Sequence, residues 1–218
     1  TAAGMPEVLG PIHLLWVNLV TDGPPATALG FNPPDKSSMR RPPRGRTDSL
    51  VSRFTLVRYF IAGSYVGLAT VAAFAHHYAS QGIPLRQLRD WSQCATWRPD
   101  AIAGFSDPCN AFAAGPLRAA ASTVALTTLV AMEMLRALCA VSERESILSM
   151  PPWANPWLLV GVTLPALLHL AVVYYAPFAS IFKLAPLGKS EWIAVATFSL
   201  PLLVVEEALK FVGRRLES

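Results

Sequence analysis

The sequence predicts an all-α membrane protein, a polytopic helical bundle of about five transmembrane helices. Of its 218 residues, 53% are hydrophobic and only 15% are charged, and the mean hydropathy is +0.40. Soluble domains average about 25% charged residues, so this chain lacks the charge that a polar surface needs. The apolar residues form long blocks rather than amphipathic stripes, which indicates that lipid is their solvent.

Five apolar blocks are long enough to cross a bilayer. They cover residues 10–31, 54–78, 116–140, 154–178 and 192–212. Each has about 20 to 25 residues, the length that a helix needs to cross about 30 Å of hydrocarbon. We therefore treat residues 1–218 as one transmembrane domain. The chain begins without Met and shows no basic start of a signal peptide, so we expect a fragment of a longer protein.

The basic residues predict the orientation in the membrane. Five spans place the first connector, the third connector and the C-terminus on one side. Twelve of the 18 Lys and Arg residues lie on or near that side, and six lie on the other. The positive-inside rule makes the richer side, and with it the C-terminus, cytoplasmic. A nucleic-acid partner is not expected, because no basic face on a soluble fold is visible.

Cys94 and Cys109 share the second connector, which this orientation makes luminal. Thiols can oxidise there, and a bridge would close a loop of about 16 residues, worth about 3 kcal/mol in the chain-entropy model. The alternative is two free cysteines that happen to share a loop.

The first block contains a carboxylate near its middle. Asn18, Thr21 and Asp22 are spaced i, i+3, i+4, so on an α-helix they share one face. Such a carboxylate is costly in lipid and usually faces a cavity or an ion path. All these ligands are oxygens, which suits a hard cation such as calcium or magnesium. The alternative is a proline kink with a buried, hydrogen-bonded Asp.

Gly23, Pro24 and Pro25 follow at once. Proline lacks an amide hydrogen and clashes with the carbonyl four residues earlier, so we expect the helix to unwind near Asp22 and to leave backbone carbonyls unpaired. Irregular backbone at membrane depth is tolerated where it is buried in protein or lines a cavity, and broken helices recur in ion sites.

Glu133 is the second intramembrane acid, in the third block. Arg136 lies three residues later and can pair with it on the same helix face. Two interpretations stay open from the spacing: a salt bridge alone, or a further oxygen ligand of the same cation site.

These residues resemble a known family, the sarco/endoplasmic reticulum calcium ATPases. Residues 14–23, Leu-Leu-Trp-Val-Asn-Leu-Val-Thr-Asp-Gly, followed by residues 26–35, look like the sixth transmembrane helix of that family. Residues 39–44 resemble the loop that follows, 58–59 and 65–67 the seventh helix, and 150–153, 181–184 and 209–211 the end of the chain. The resemblance covers essentially all 218 residues in order.

The resemblance implies a role for each matched position. Asn18, Thr21 and Asp22 would coordinate transported calcium, with Asp22 shared between two ions, and Glu133 would complete one of the sites. Cys94 and Cys109 match a luminal disulfide. The implied location is the endoplasmic or sarcoplasmic reticulum membrane, and the implied partners are the lipid bilayer, the rest of the pump and a small membrane regulator.

Two features depart from the family pattern. The loop after Asp35 carries Lys36 and Arg40 where several acids are usual, which affects how it communicates with the phosphorylation domain. Arg136 stands where a small or polar residue is expected, and we expect it to temper Glu133.

The phosphorylated Asp motif and the nucleotide domain are missing from these residues, so no catalytic or cofactor-binding residue is assigned. ATP and magnesium would bind the cytoplasmic domains of the whole pump, and the fragment alone should be inactive. The predicted function is the C-terminal membrane part of an ATP-driven calcium pump. The alternatives are a stand-alone carrier and a membrane subunit or regulator without ATPase activity.

Overall fold

The structure, a computed structural model, is built from helices alone in the residues that it describes, which confirms the predicted helical bundle. The first connector with Lys36 and Arg40 and the third connector with Glu143 and Arg144 lie outside those residues. The described ranges are 4–33, 53–98, 101–102, 104, 107–113, 115–142 and 151–216.

The first segment is helical but divided. Helix α1 covers Pro11–Trp16, a π-helical turn covers Val17–Thr21, and α2 covers Gly23–Leu29. The sequence places the interruption at Asp22 and the prolines, whereas the structure places it one turn earlier. Pro24 and Pro25 lie in the first turn of α2, where amide hydrogens have no helical acceptor, so the prolines begin a helix rather than unwind one.

Most of the remaining helices lie in the other apolar blocks, and one short helix lies in the second connector. They are α3 (Arg53–Ser80), α4 (Leu85–Arg89), α5 (Pro116–Cys139), α6 (Pro156–Tyr174), α7 (Ala176–Phe182), α8 (Lys189–Ser199) and α9 (Pro201–Leu216). In the described part of the chain, α3, α5, α6 and the α8–α9 pair are long and apolar enough to cross a membrane. Because the first segment consists of short pieces, its crossing stays a prediction.

Helix α5 is the centre of the bundle. It contacts α3, α6, α8 and α9, and every residue from 121 to 128 is buried. That stretch is rich in Ala, Ser and Thr, small residues that let helix backbones approach closely in a membrane. Large apolar side chains such as Leu68, Leu167 and Val204 are instead exposed on the outside of the bundle, as lipid contact requires.

The last span is broken at Leu200, between α8 and α9. Pro201 cannot donate a helical hydrogen bond, so a break is expected there. The hydroxyl of Tyr65 on α3 donates to the carbonyl of Phe198 at 2.9 Å, just before the break. A neighbouring helix thus provides a hydrogen bond where the last span is interrupted.

The second connector packs against one end of α3. Cys94 and Cys109 are joined by a disulfide, with their Cα atoms 5.2 Å apart. Fully buried Tyr78 and Phe112 stack, with ring centroids 5.8 Å apart, and the Tyr78 hydroxyl donates to the carbonyl of Ala111 at 3.2 Å. This connector therefore has an apolar core of its own beside the bundle.

Candidate cation-binding site

The π turn positions Thr21 and Asp22, two of the predicted ligands. The amide of Asp22 donates to the carbonyl of Val17 at 3.0 Å, which is the wide i to i+5 hydrogen bond. The hydroxyl of Thr21 donates to the same carbonyl at 2.7 Å and is fully buried. Asp22 follows at the junction with α2, and its side chain is half-buried.

Two backbone carbonyls beside Asp22 lose their helical donors. The residues four positions after Val20 and Thr21 are Pro24 and Pro25, which have no amide hydrogen to give. Carbonyl oxygens without a helical partner are good ligands for hard cations. The carbonyls of Val20 and Thr21 are therefore candidate backbone ligands beside the carboxylate and the hydroxyl.

A cavity of about 420 Å³ joins this segment to three other helices. Thr21 and Asp22 line it from the first segment, Glu133 and Arg136 from α5, Arg58 from α3 and Glu206 from α9. The structure thus brings Thr21, Asp22 and Glu133 together, although 111 residues of sequence separate Asp22 from Glu133.

Four charged side chains form a chain of ion pairs along the cavity. Arg58 Nη2 lies 2.8 Å from Glu206 Oε2, a direct charge-assisted hydrogen bond. Arg136 lies between two acids, with Nε 3.7 Å from Glu206 Oε1 and Nη1 3.8 Å from Glu133 Oε1. The predicted Glu133 to Arg136 pairing is therefore present, and Glu206 joins it from another helix.

Asn18 lies apart from the other three candidates. Its side chain is exposed, and it does not line the cavity. The shared face was predicted from α-helical spacing, whereas in the structure the buried residues of this π turn are Val17 and Thr21, and Asn18 is exposed beside them.

Glu206 and Arg58 were not predicted as part of the site. A charged residue inside an apolar block was the available signal, and both residues show it. The sequence leaves open which of Glu206 and Glu207 pairs with Lys210. In the structure Lys210 Nζ lies 3.7 Å from Glu207 Oε1 and donates to the carbonyl of Cys139 at 2.7 Å.

The donor set is oxygen-only but incomplete. Within the described ranges, no three His, Cys, Asp or Glu side chains cluster closely enough to hold a metal ion by themselves. Thr21, Asp22 and Glu133 are one hydroxyl and two carboxylates, whereas calcium takes six to eight oxygens. A calcium ion bound here would need further ligands from the backbone, from water or from other polypeptide segments.

Comparison with known proteins decides the family. Residues 6–212 match the model of the cation transporting ATPase C-terminus. The chain belongs to this family. The resemblance seen in residues 14–23 and in the later motifs is thereby confirmed.

Relatives of this cation-transporting ATPase segment are several times longer. The chain is 44% identical, over 98% of its length, to two proteins of Arabidopsis thaliana, the endoplasmic reticulum-type calcium-transporting ATPases 4 and 2, and covers 22% of each. It is 41% identical, over 97% of its length, to a calcium-transporting ATPase of Plasmodium falciparum and covers 18% of it. The chain thus spans about one fifth of the length of these relatives.

Proposed function

We propose that this chain is the C-terminal membrane part of an ATP-driven calcium pump of the endoplasmic reticulum. The observation that carries the proposal is the cavity shared by Thr21, Asp22 and Glu133, because hydroxyl and carboxylate oxygens from two helices converge beside a π turn. The calcium-transporting relatives that match nearly the whole chain support the same function.

In the proposed mechanism, calcium is the transported substrate. Asp22 and Glu133 supply negative charge, and Thr21 supplies its hydroxyl. The backbone carbonyls of Val20 and Thr21 complete this side of the site. Asn18 coordinates from the outer face of the first segment, together with groups from the rest of the pump. A carboxylate without a counter-charge is costly in the membrane, so release of the ion from Asp22 must be accompanied by uptake of a proton or by the approach of another positive group.

The chemistry that drives transport lies elsewhere in the pump. ATP and magnesium bind cytoplasmic domains outside this chain, and a phosphorylated Asp there powers the cycle. The partners of this segment are the bilayer, the remaining helices and domains of the pump, and a small membrane regulator. We propose a cytoplasmic C-terminus on the positive-inside distribution of basic residues.

The test replaces Asp22 by Asn in the complete pump. This change removes one negative charge while keeping the size of the side chain. We expect calcium-dependent phosphorylation by ATP to be abolished, whereas phosphorylation from inorganic phosphate persists and is no longer suppressed by calcium. Asp90→Asn is the matched control, because Asp90 is exposed in the second connector, far along the chain from the cavity. Normal calcium-dependent phosphorylation in Asp22→Asn would refute the ligand assignment.

A further inference from the structure

We infer that Arg136 sets the calcium affinity of the pump by competing with calcium for Glu133. The guanidinium is a cation that the protein itself places in the cavity, and calcium must displace it from the carboxylate. The inference rests on the proposed function and adds to it a residue that controls how strongly the site binds its ion.

The contact distances describe a cation held between two acids rather than fixed to one. Both contacts of Arg136, 3.8 Å to Glu133 and 3.7 Å to Glu206, are longer than a direct hydrogen bond of about 2.7 to 2.9 Å for charged partners. Arg58, by contrast, holds Glu206 at 2.8 Å. Arg58 uses Oε2 of Glu206, so Oε1 is left facing Arg136.

The side chains are placed for such an exchange. The side chain of Arg136 is 32% exposed and that of Glu133 is 20% exposed, and both line the cavity. Glu206 is nearly fully buried, at 5% for its side chain, and lies on α9 rather than on α5. The guanidinium can therefore move toward Glu206 when an ion takes Glu133, without losing a carboxylate partner.

The balance of charge in the cavity favours this role. Asp22, Glu133 and Glu206 contribute three negative charges, and Arg58 and Arg136 contribute two positive charges. Arginine stays protonated in proteins, so Arg136 cannot leave the site by losing its charge. A divalent cation at Asp22 and Glu133 is repelled by Arg136 at its resting position, and its affinity is reduced accordingly.

A purely structural role for Arg136 predicts the opposite outcome. If the residue only braced α5 against α9, its removal would loosen Glu133 and weaken calcium binding. Competition predicts that removal of the guanidinium strengthens calcium binding, because Glu133 then has no internal partner to give up.

The experiment compares variants of the complete pump by the calcium concentration that gives half-maximal phosphorylation by ATP. For Arg136→Gln we expect this concentration to fall about fivefold, equivalent to about 1 kcal/mol. For Glu206→Gln we expect it to rise, because Arg136 then loses the carboxylate that draws it away from Glu133. Arg136→Lys keeps the charge and should stay closer to the unmodified pump than Arg136→Gln does.

Arg118→Gln is the matched control. Arg118 lies on the same helix, near its other end, and pairs with exposed Glu7 at 3.7 Å. We expect no change in the half-maximal calcium concentration for this variant.

The outcomes separate the inference from the proposed function. An unchanged or higher half-maximal calcium concentration in Arg136→Gln would overturn the inference, and the proposed function would stand as long as Asp22→Asn still abolishes the response. If Arg136→Gln does not fold, Glu206→Gln decides, and an unchanged or lower half-maximal concentration there overturns the inference. A pump with no calcium-dependent phosphorylation before any substitution would instead refute the proposed function.

Discussion

Lys210 donates a hydrogen bond from Nζ to the carbonyl oxygen of Cys139, 2.7 Å away, and so ties α9 to the last residue of α5. The ammonium group is buried, with 2% of the residue exposed. A cation at a helix C-terminus also interacts favourably with the helix dipole. The contact fixes the end of the helix that carries Glu133.

Replacement of Lys210 by Met should destabilise the pump. The variant keeps the length of the side chain but leaves the Cys139 carbonyl and the Glu207 carboxylate without this partner, a cost of about 1 to 3 kcal/mol. Thermal inactivation of the detergent-solubilised pump measures the effect as a lower midpoint temperature. Lys189→Met is the control, since Lys189 is exposed at the start of α8. Equal midpoints for the two variants would contradict the buried contact.

Gly161 should not tolerate a larger side chain. An added Cβ would lie 2.9 Å from the Cβ of Ala28 and 3.0 Å from the carbonyl oxygen of Pro24, so α6 and α2 could not stay this close. Gly161→Ala is expected to cost about 1 to 3 kcal/mol by overpacking. Because the strain falls on the helix that follows Asp22, half-maximal activation should also need more calcium.

Gly63→Ala is the matched comparison for that variant. Gly63 lies in α3 with open space around the position of an added Cβ. A helix interior gains about 0.5 to 1 kcal/mol from this exchange. The free energy of unfolding should therefore rise in Gly63→Ala and fall in Gly161→Ala. A fall of similar size in both variants would argue against the close approach at Gly161.

Asn155 should contribute more than a helix cap. Its Oδ1 accepts from the amide of Leu158 at 3.2 Å, while its Nδ2 donates to the carbonyl of Ala28 at 2.9 Å and to Oδ1 of Asn32 at 2.6 Å. Asn155→Ser keeps the cap alone, whereas Asn155→Ala removes all three contacts. Because Asn155→Ser loses the two donated hydrogen bonds, it should be less stable than the unmodified protein, and loss of the cap should cost Asn155→Ala about 1 kcal/mol more. A Ser variant as stable as the unmodified protein in a urea or thermal titration would show that the cap is the whole contribution.

The disulfide should be accessible from one side of the membrane only. In sealed microsomes, an impermeant phosphine should leave Cys94 and Cys109 bridged, and detergent should make the bridge reducible, because our proposed orientation puts the second connector in the lumen. Labelling with a polyethylene glycol maleimide detects the released thiols by a mobility shift. Cys139 is a buried thiol and serves as the internal reference. If the phosphine reduces the bridge before the membrane is permeabilised, the second connector lies on the cytoplasmic side and the proposed orientation is wrong.

Removing the bridge should also cost stability. Cys94 and Cys109 are 15 residues apart, a loop worth about 3 kcal/mol in the chain-entropy model. We expect the double exchange to Ser to lower the midpoint of thermal inactivation, with calcium affinity unchanged because the connector lies away from the cavity. A change in affinity without a change in midpoint would show that the connector acts on the site instead.

The sequence predicts the helices well because hydropathy is a local property. Blocks such as residues 54–78 and 116–140 need only a count of apolar residues, and α3 and α5 follow them closely. The π turn at Val17–Thr21 has no comparable signal, since the same residues fit an α-helix. The prolines predicted an interruption of the helix. Their place in the first turn of α2 follows from the π turn that precedes them, and the sequence does not show that turn.

The composition of the cavity is predictable only in part. Asp22 and Glu133 stand out because a carboxylate in an apolar block is costly. The contact of Arg58 with Glu206 spans 148 residues, and nothing local in the sequence selects it over the nearer Lys210. Helix packing decides between these partners, and packing becomes visible only when α3, α5 and α9 are placed side by side.

The π turn corrects the phase of the first helix. Buried residues recur at His13, Val17, Thr21 and Pro25, strictly four apart. An ideal α-helix advances about 100° per residue, so a four-residue repeat would drift by about 40° at each step and wind around the helix. The wider turn at Val17–Thr21 offsets part of that drift, so that these four residues stay on one side of the segment. Asn18 is exposed beside these buried residues, so a group that reaches Asn18 has to approach the helix from outside the cavity that Thr21 and Asp22 line.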